Sequence, residues 1–143
     1  MKAWVYDNKE KDPEGVYIYL RDVPVPQPPA GYVLLKVLGV SVCGTDEHLF
    51  RGDHPEVSGG TISGHEYYGE VVELGKGAKG VAVGDRIAGE SHYVVEGHVG
   101  DGVIGYMGPR DDKGARTPAI AGAYAEYLVL PDYCCNVLQE GPL

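Results

Sequence analysis

Short apolar runs, separated by glycine, proline and charged residues, make up most of the chain and predict strands. Lys2–Tyr6 and residues 16–20 are rich in β-branched and aromatic side chains and flank a charged turn. The VPVPQPPAGY segment that follows predicts an extended connector, because proline cannot donate a ladder hydrogen bond. Further strands are predicted at residues 32–42, Tyr67–Leu74, Arg86–Gly89 with an extension towards residue 95, residues 123–130 and the YCCNVL segment.

One segment departs from this pattern. Residues 44–50, GTDEHLF, predict a short helical turn with Thr45 or Asp46 as its N-cap. The 143 residues include 22 glycines and 10 prolines, which suits turns and disfavours long helices. Roughly seven short strands with little helix predict one mainly β domain, built as an antiparallel barrel or sandwich.

The charge balance restricts the partners of this chain. Asp and Glu number 21 against 12 Lys and Arg, so the formal net charge is −9. This disfavours nucleic acid and anionic membranes, both of which need basic surfaces. The N-terminus lacks the apolar run of a secretory signal, and glycine or charge interrupts the longest apolar segments within about ten residues. Three cysteines make no disulfide framework, so we expect a cytoplasmic protein.

Two conspicuous motifs are interpreted as structural. Residues 100–105 spell G-x-G-x-x-G, but the glycines and proline of the YMGPRDDKG segment that follows exclude the helix that a dinucleotide site needs. We therefore predict a glycine-rich surface loop there. Cys134 and Cys135 are adjacent, and we interpret them as small apolar side chains, one facing the core and one the surface.

Residues with metal-binding chemistry are concentrated in two short segments. Cys43 begins the segment CGTDEH, and His65 and Glu66 lie in GHEYYG. A thiolate, an imidazole and a carboxylate are ligand types of a catalytic zinc site. Neighbouring strand residues face opposite ways, so His65 and Glu66 can share a metal only if the chain turns at Gly64. A buried structural cysteine, a hydrogen-bonded histidine and a surface glutamate are an equally good interpretation of these residues alone.

Three longer segments carry a resemblance to a known family. CGTDEH, GHEYYGEVVELGKGAKGVAVGDRI and GAYAEYLVLP resemble the zinc-dependent medium-chain alcohol dehydrogenases, most closely their threonine, polyol and butanediol dehydrogenase branch. The similarity runs from residue 1 to about residue 138, with the pattern GHExxGxVxxxG at its centre. It implies a GroES-like antiparallel β-barrel over residues 1–143 with few short helices. Such a domain is the catalytic part of an enzyme that oxidises an alcohol or polyol to a carbonyl compound.

The resemblance also implies roles for individual residues. Cys43 and His65 match zinc ligands, and Glu66 matches a carboxylate that binds zinc or exchanges with water there. Thr45 matches the hydroxyl that hydrogen-bonds the substrate oxygen, and His48 matches the next member of a proton relay to solvent. Asp46 resembles a carboxylate that orients the histidine ligand.

Three departures from the family define the remaining expectations. Residues 91–118 contain no cysteine where many members hold a structural zinc, so we predict a metal-free lobe and one catalytic zinc. A further zinc ligand is expected beyond residue 143. The nucleotide-binding domain is also absent from this chain, so NAD or NADP binds only together with that domain. The expected partner is a small alcohol or polyol. A homo-oligomer and a stand-alone, non-enzymatic barrel that binds metal or partners are the options left open.

Overall fold

The computed structural model describes residues 1–7, 15–54, 57 and 59–138, and strands dominate this part of the chain. The predicted turn between the first two strands lies largely outside these residues. The described elements are two helices and nine strands: β1 (Lys2–Tyr6), β2 (Ile18–Asp22), β3 (Tyr32–Val40), α1 (Gly44–Arg51), β4 (Tyr67–Leu74), β5 (Arg86–Gly89), β6 (His92–Tyr93), β7 (Gly102–Val103), β8 (Tyr127–Pro131), the 3-10 helix η1 (Asp132–Cys134) and β9 (Cys135–Val137). The prediction of a mainly β fold is confirmed.

All strand pairs that the structure describes are antiparallel. The largest sheet has the order β8-β3-β4-β5-β9, while β1 pairs with β2 and β6 with β7 in separate two-stranded sheets. Isolated bridges from Ala3 to Ala125 and from Val5 to Ile62 connect β1 to the segments before β8 and β4. The chain before each of these two strands is thereby held against β1.

β3 is an interior strand of the large sheet, between β8 and β4, as its apolar run predicts. Val33, Leu34 and Leu35 are consecutive and all buried, which an interior strand covered on both faces requires. Val33 and Leu35 belong to the main core with residues from β4, β5 and β8 and with Ile104. A second, smaller cluster holds α1 to the sheets and consists of Tyr6, Leu49, Val57 and Tyr106.

Several predicted boundaries differ from the observed ones. The second strand is displaced to Ile18–Asp22, because its register with β1 pairs Lys2 with Asp22. The strand at Arg86–Gly89 does not extend to residue 95, since β6 begins a separate sheet. β8 begins only at Tyr127, because the residues before it contact β1 instead.

The predicted helical turn is a full α-helix with a different N-cap. Cys43 is the N-cap, rather than Thr45 or Asp46, and has extended backbone angles. The reason is that Asp46 reaches back from the first turn, and its Oδ2 accepts the Cys43 N–H at 2.9 Å. Gly52 ends the helix in the left-handed conformation.

Candidate metal centre

Three side chains with metal-ligand chemistry converge at one end of the large sheet. The donor atoms of Cys43, His65 and Glu66 all lie within 4.8 Å of one another. Among the described residues this is the one group of three or more such side chains that could hold a metal ion. Cys43 and His65 are partly buried and Glu66 is exposed, so the group lies at the edge of the core.

Cys43 is positioned by the start of α1. It follows β3 after a two-residue connection and is fixed as the N-cap by the hydrogen bond from its backbone N–H to Asp46. Asp46 and Glu47 lie in the first helical turn, where negative charge interacts favourably with the helix dipole. The helix therefore fixes the backbone of Cys43, and with it the position of the thiol.

His65 and Glu66 share the site because the chain turns at Gly64. Gly64 has φ = +94°, and β4 begins only at Tyr67, so strand alternation does not apply to His65 and Glu66. A Cβ atom at Gly64 would lie 2.9 Å from the Tyr124 backbone nitrogen, so glycine is needed for both conformation and space. The turn that the sequence required at this position is present.

Asp46 links the two ligand-bearing segments electrostatically. Its side chain is fully buried, and Oδ1 lies 3.9 Å from Nδ1 of His65. That distance is too long for a hydrogen bond, and both atoms are buried without a hydrogen-bond partner. A carboxylate beside the second ring nitrogen is the usual environment of a metal-binding histidine, whose orientation it fixes.

Glu66 is held in place by Ser41. The Ser41 hydroxyl donates to Glu66 Oε2 at 2.6 Å, and the Ser41 backbone N–H donates to the Glu66 carbonyl at 2.9 Å. The Tyr124 ring also lies at this site, where its hydroxyl donates to the Ser41 carbonyl at 3.3 Å. Burial, and then the negative charge of Asp46, raise the pKa of Tyr124. Its hydroxyl therefore stays protonated at neutral pH.

These residues fit a zinc ion by donor type and by spacing. Zinc–ligand bonds of about 2.0–2.3 Å in a tetrahedral arrangement separate the donor atoms by roughly 3.5 Å. The donor atoms of the three side chains, all within 4.8 Å of one another, need to move by only about 1 Å to meet that spacing. The buried, unpartnered atoms of His65 and Asp46 provide the carboxylate–histidine pair that accompanies many zinc sites.

Thr45 and His48 lie on α1, directly after Cys43. They are three residues apart, so their side chains lie on neighbouring positions of the helix surface. Thr45 is partly buried and His48 is exposed.

An open hollow of about 370 Å³ borders Cys43 and the outer side of the helix. Its lining residues are Val16, Val42, Cys43, Gly44, Glu47, Phe50 and Arg51.

Tyr106 is a site residue that the sequence patterns do not indicate. It is buried, and its hydroxyl donates to the Thr45 carbonyl at 3.1 Å, across 61 residues of sequence. Its ring makes edge contacts with His65, at a centroid distance of 5.9 Å, and with His54, at 4.6 Å. Burial, and then the charges of Asp46 and Cys43, raise the pKa of Tyr106 to about 12.

The two motifs interpreted as structural are only partly as expected. In the described chain no helix follows residues 100–105 directly, as predicted. The prediction of a surface loop is wrong, because Gly102 and Val103 form β7 and Ile104 is fully buried in the main core.

Cys134 is buried and Cys135 partly buried, and burial raises the pKa of these thiols to about 12 and 11. High thiol pKa values support their interpretation as apolar side chains.

Comparisons with known proteins extend over most of the chain. Residues 29–140 match the family described as alcohol dehydrogenase GroES-like domain. L-threonine 3-dehydrogenase of Alteromonas mediterranea is 38% identical over 141 residues, which cover 93% of this chain and 38% of that protein. L-threonine 3-dehydrogenase of Escherichia coli K12 is 37% identical, with 88% and 37% covered.

A solved structure shows the same fold. The crystal structure of 2R,3R-butanediol dehydrogenase from Bacillus subtilis is 25% identical and superposes with a TM-score of 0.77, covering 97% of this chain and 40% of that one. The chain thus spans between 37% and 40% of the length of these relatives. Within its described residues, no helix is long and apolar enough to cross a membrane.

Proposed function

Because this chain belongs to the alcohol dehydrogenase family, as its GroES-like domain, we propose that it forms the zinc-binding catalytic part of an NAD(P)-linked alcohol or polyol dehydrogenase. The observation that carries the proposal is the convergence of Cys43, His65 and Glu66 within 4.8 Å. Cys43 and His65 would hold the zinc. Glu66 would be a third ligand or would exchange with water, which its exposure permits.

Secondary alcohols with a polar neighbouring group are the substrate class we favour. The names of the relatives specify oxidation of L-threonine at position 3 and of 2R,3R-butanediol, and both are secondary alcohols of this kind. The hollow of about 370 Å³ borders Cys43 but neither the other two candidate ligands nor the relay residues, so the choice of substrate class rests on the relatives alone.

The residues of α1 would remove the substrate proton. Bound zinc would act as a Lewis acid that lowers the pKa of the alcohol, and NAD or NADP would accept the hydride. The Thr45 hydroxyl would accept the alcohol proton at Oγ1 and pass its own proton to a ring nitrogen of His48. The partly buried Thr45 and the exposed His48 give this relay a direction from the site to solvent.

Asp46 would hold the proposed ligands and the start of the relay helix in fixed positions. Its carboxylate fixes the Cys43 backbone and faces Nδ1 of His65, so one buried side chain orients both proposed ligands. The Ser41 hydroxyl does the same for Glu66. This chain therefore supplies the ligands, the groups that orient them and the proton relay of the proposed reaction.

The zinc content of matched cysteine variants tests this proposal. We expect one zinc per chain by elemental analysis, because one described group of side chains has enough ligands. Cys43→Ser removes the thiolate, and the chain should lose zinc. Cys135→Ser makes the same substitution outside the site and should keep it. Two tightly held zinc ions, or a Cys43→Ser variant that keeps its zinc, would contradict the proposal.

A further inference from the structure

We propose that Tyr106 is a positioning residue that joins the two ligand-bearing segments of the proposed zinc site. The inference rests on that site, to which it adds a group from a distant part of the chain. Cys43 is carried by the start of α1, and His65 by the turn before β4. Tyr106 contacts both segments at once.

The hydroxyl of Tyr106 fixes the first turn of α1. It donates to the Thr45 carbonyl at 3.1 Å, and Thr45 lies two residues after the N-cap Cys43. Because Cys43 belongs to the same turn, the hydrogen bond restrains the backbone that carries the thiol. It also restrains Thr45, the first group of the proposed proton relay.

The ring of Tyr106 fixes the other segment. Its edge contact with His65 has an interplanar angle of 72° and limits rotation of the imidazole. The ring also makes an edge contact with His54, at an interplanar angle of 73°. Tyr106 also packs with Tyr6, Leu49 and Val57 in the second apolar cluster, so the ring itself has little freedom to move.

The loop that carries Tyr106 is seated directly on the turn that carries His65. Gly105 has φ = +71°, and a Cβ atom there would lie 3.0 Å from the Gly64 carbonyl oxygen. The Gly105 backbone N–H donates to the Ile120 carbonyl at 2.7 Å. The position of Tyr106 is therefore tied to the backbone immediately before the ligand.

Cobalt(II) titration of this chain tests the inference, with the metal alone as the probe. Absorption between 300 and 700 nm reports both affinity and ligand arrangement. Tyr106→Phe keeps the ring and loses the bond to Thr45, so we expect about 3- to 10-fold weaker binding and shifted bands. Tyr106→Leu also loses the edge contact with His65, and we expect about 10- to 100-fold weaker binding, as for other groups that orient metal ligands.

Tyr93→Phe is the matched control. Tyr93 is as buried as Tyr106, and its hydroxyl accepts the Ile120 backbone N–H at 3.3 Å, away from the ligands. This variant should have a lower Tm but unchanged cobalt affinity and spectrum. If Tyr106→Phe lowered Tm and left affinity and spectrum at wild-type values, Tyr106 would be merely structural and the inference would be wrong. If the wild-type chain bound no cobalt, or Cys43→Ser bound it equally well, the proposed zinc site itself would fail, and the inference with it.

Discussion

Asp46 shows how one side chain can serve both the fold and the site. Its Oδ2 caps α1 through the Cys43 N–H, while its Oδ1 faces His65 Nδ1 at 3.9 Å. The capping bond to Oδ2 fixes the orientation of the carboxylate and leaves Oδ1, which has no hydrogen-bond partner, directed at the histidine. The residue that caps α1 therefore also faces the histidine that is proposed as a ligand.

Turnover measurements on variants of α1 residues distinguish a role in proton transfer from a role in metal binding. The assay needs a polypeptide that joins this chain to a nucleotide-binding domain. Thr45→Val keeps the shape of the side chain but removes the hydroxyl, so zinc should stay bound while turnover falls by about 10²- to 10⁴-fold. His48→Ala should cost less at high pH than at neutral pH, since hydroxide partly replaces a relay group that faces solvent.

The control for these variants is His98→Ala, which removes an imidazole from the loop after β6. This variant should leave turnover unchanged at both neutral and high pH. Zinc content is measured on the same preparations. Loss of zinc from Thr45→Val would make Thr45 a structural part of the site. A pH-independent loss in His48→Ala would remove His48 from the relay.

Among the elements, the loop between β7 and β8 contributes more to the core and to the candidate site than its composition indicates. It is rich in glycine and contains no cysteine, yet it buries Ile104 in the main core and Tyr106 against α1. Close approach of backbones makes this possible. Gly105 packs against the Gly122 Cα and the Gly64 carbonyl at separations that leave no space for a side chain.

Two glycine-to-alanine variants measure how much this close backbone packing contributes to the stability of the fold. Gly105 and Gly114 both have positive φ, +71° and +82°, but a Cβ at Gly114 meets nothing within 4 Å. Gly114→Ala should cost only the left-handed strain, about 1–2 kcal/mol. Gly105→Ala adds a clash with backbone and should cost about 3 kcal/mol or more.

Thermal unfolding provides the comparison, because about 1 kcal/mol corresponds to roughly 3–5 °C in Tm for a domain of this size. We expect Gly105→Ala to melt clearly below Gly114→Ala. Equal melting temperatures would mean that the loop is not seated on the His65 turn as the structure has it.

At the scale of the whole molecule, the antiparallel sheets bring the three candidate ligands together, but the described residues form no dinucleotide-binding unit. The described chain contains no strand–helix–strand unit with parallel strands, and its G-x-G-x-x-G sequence is β7 followed by a buried turn. Dinucleotide binding depends on backbone amides at a helix N-terminus behind such a strand. In the proposed function, NAD(P) would therefore bind to residues other than these.

Calorimetric titration of this chain with NAD⁺ and NADP⁺ tests that assignment. We expect no saturable binding in the micromolar range, because no described segment presents the required amides. The control is the same titration of the chain joined to a nucleotide-binding domain, which should bind one of the two. Micromolar binding by the chain alone would contradict the expectation.

The sequence by itself determined the strand-rich class, the position of α1 and the three candidate ligands. These follow from local chemistry: β-branched runs favour strands, the GTDEH segment starts a helix, and Gly64 permits the turn that His65 and Glu66 need. It missed the N-cap at Cys43, because capping by Asp46 from within the first turn depends on the folded backbone. The family resemblance implied that Cys43 and His65 share a zinc ion, but only the tertiary structure decided that Tyr106 reaches Thr45 and His65. Those contacts span tens of residues and arise from sheet pairing and close backbone packing, for which short sequence patterns carry no signal.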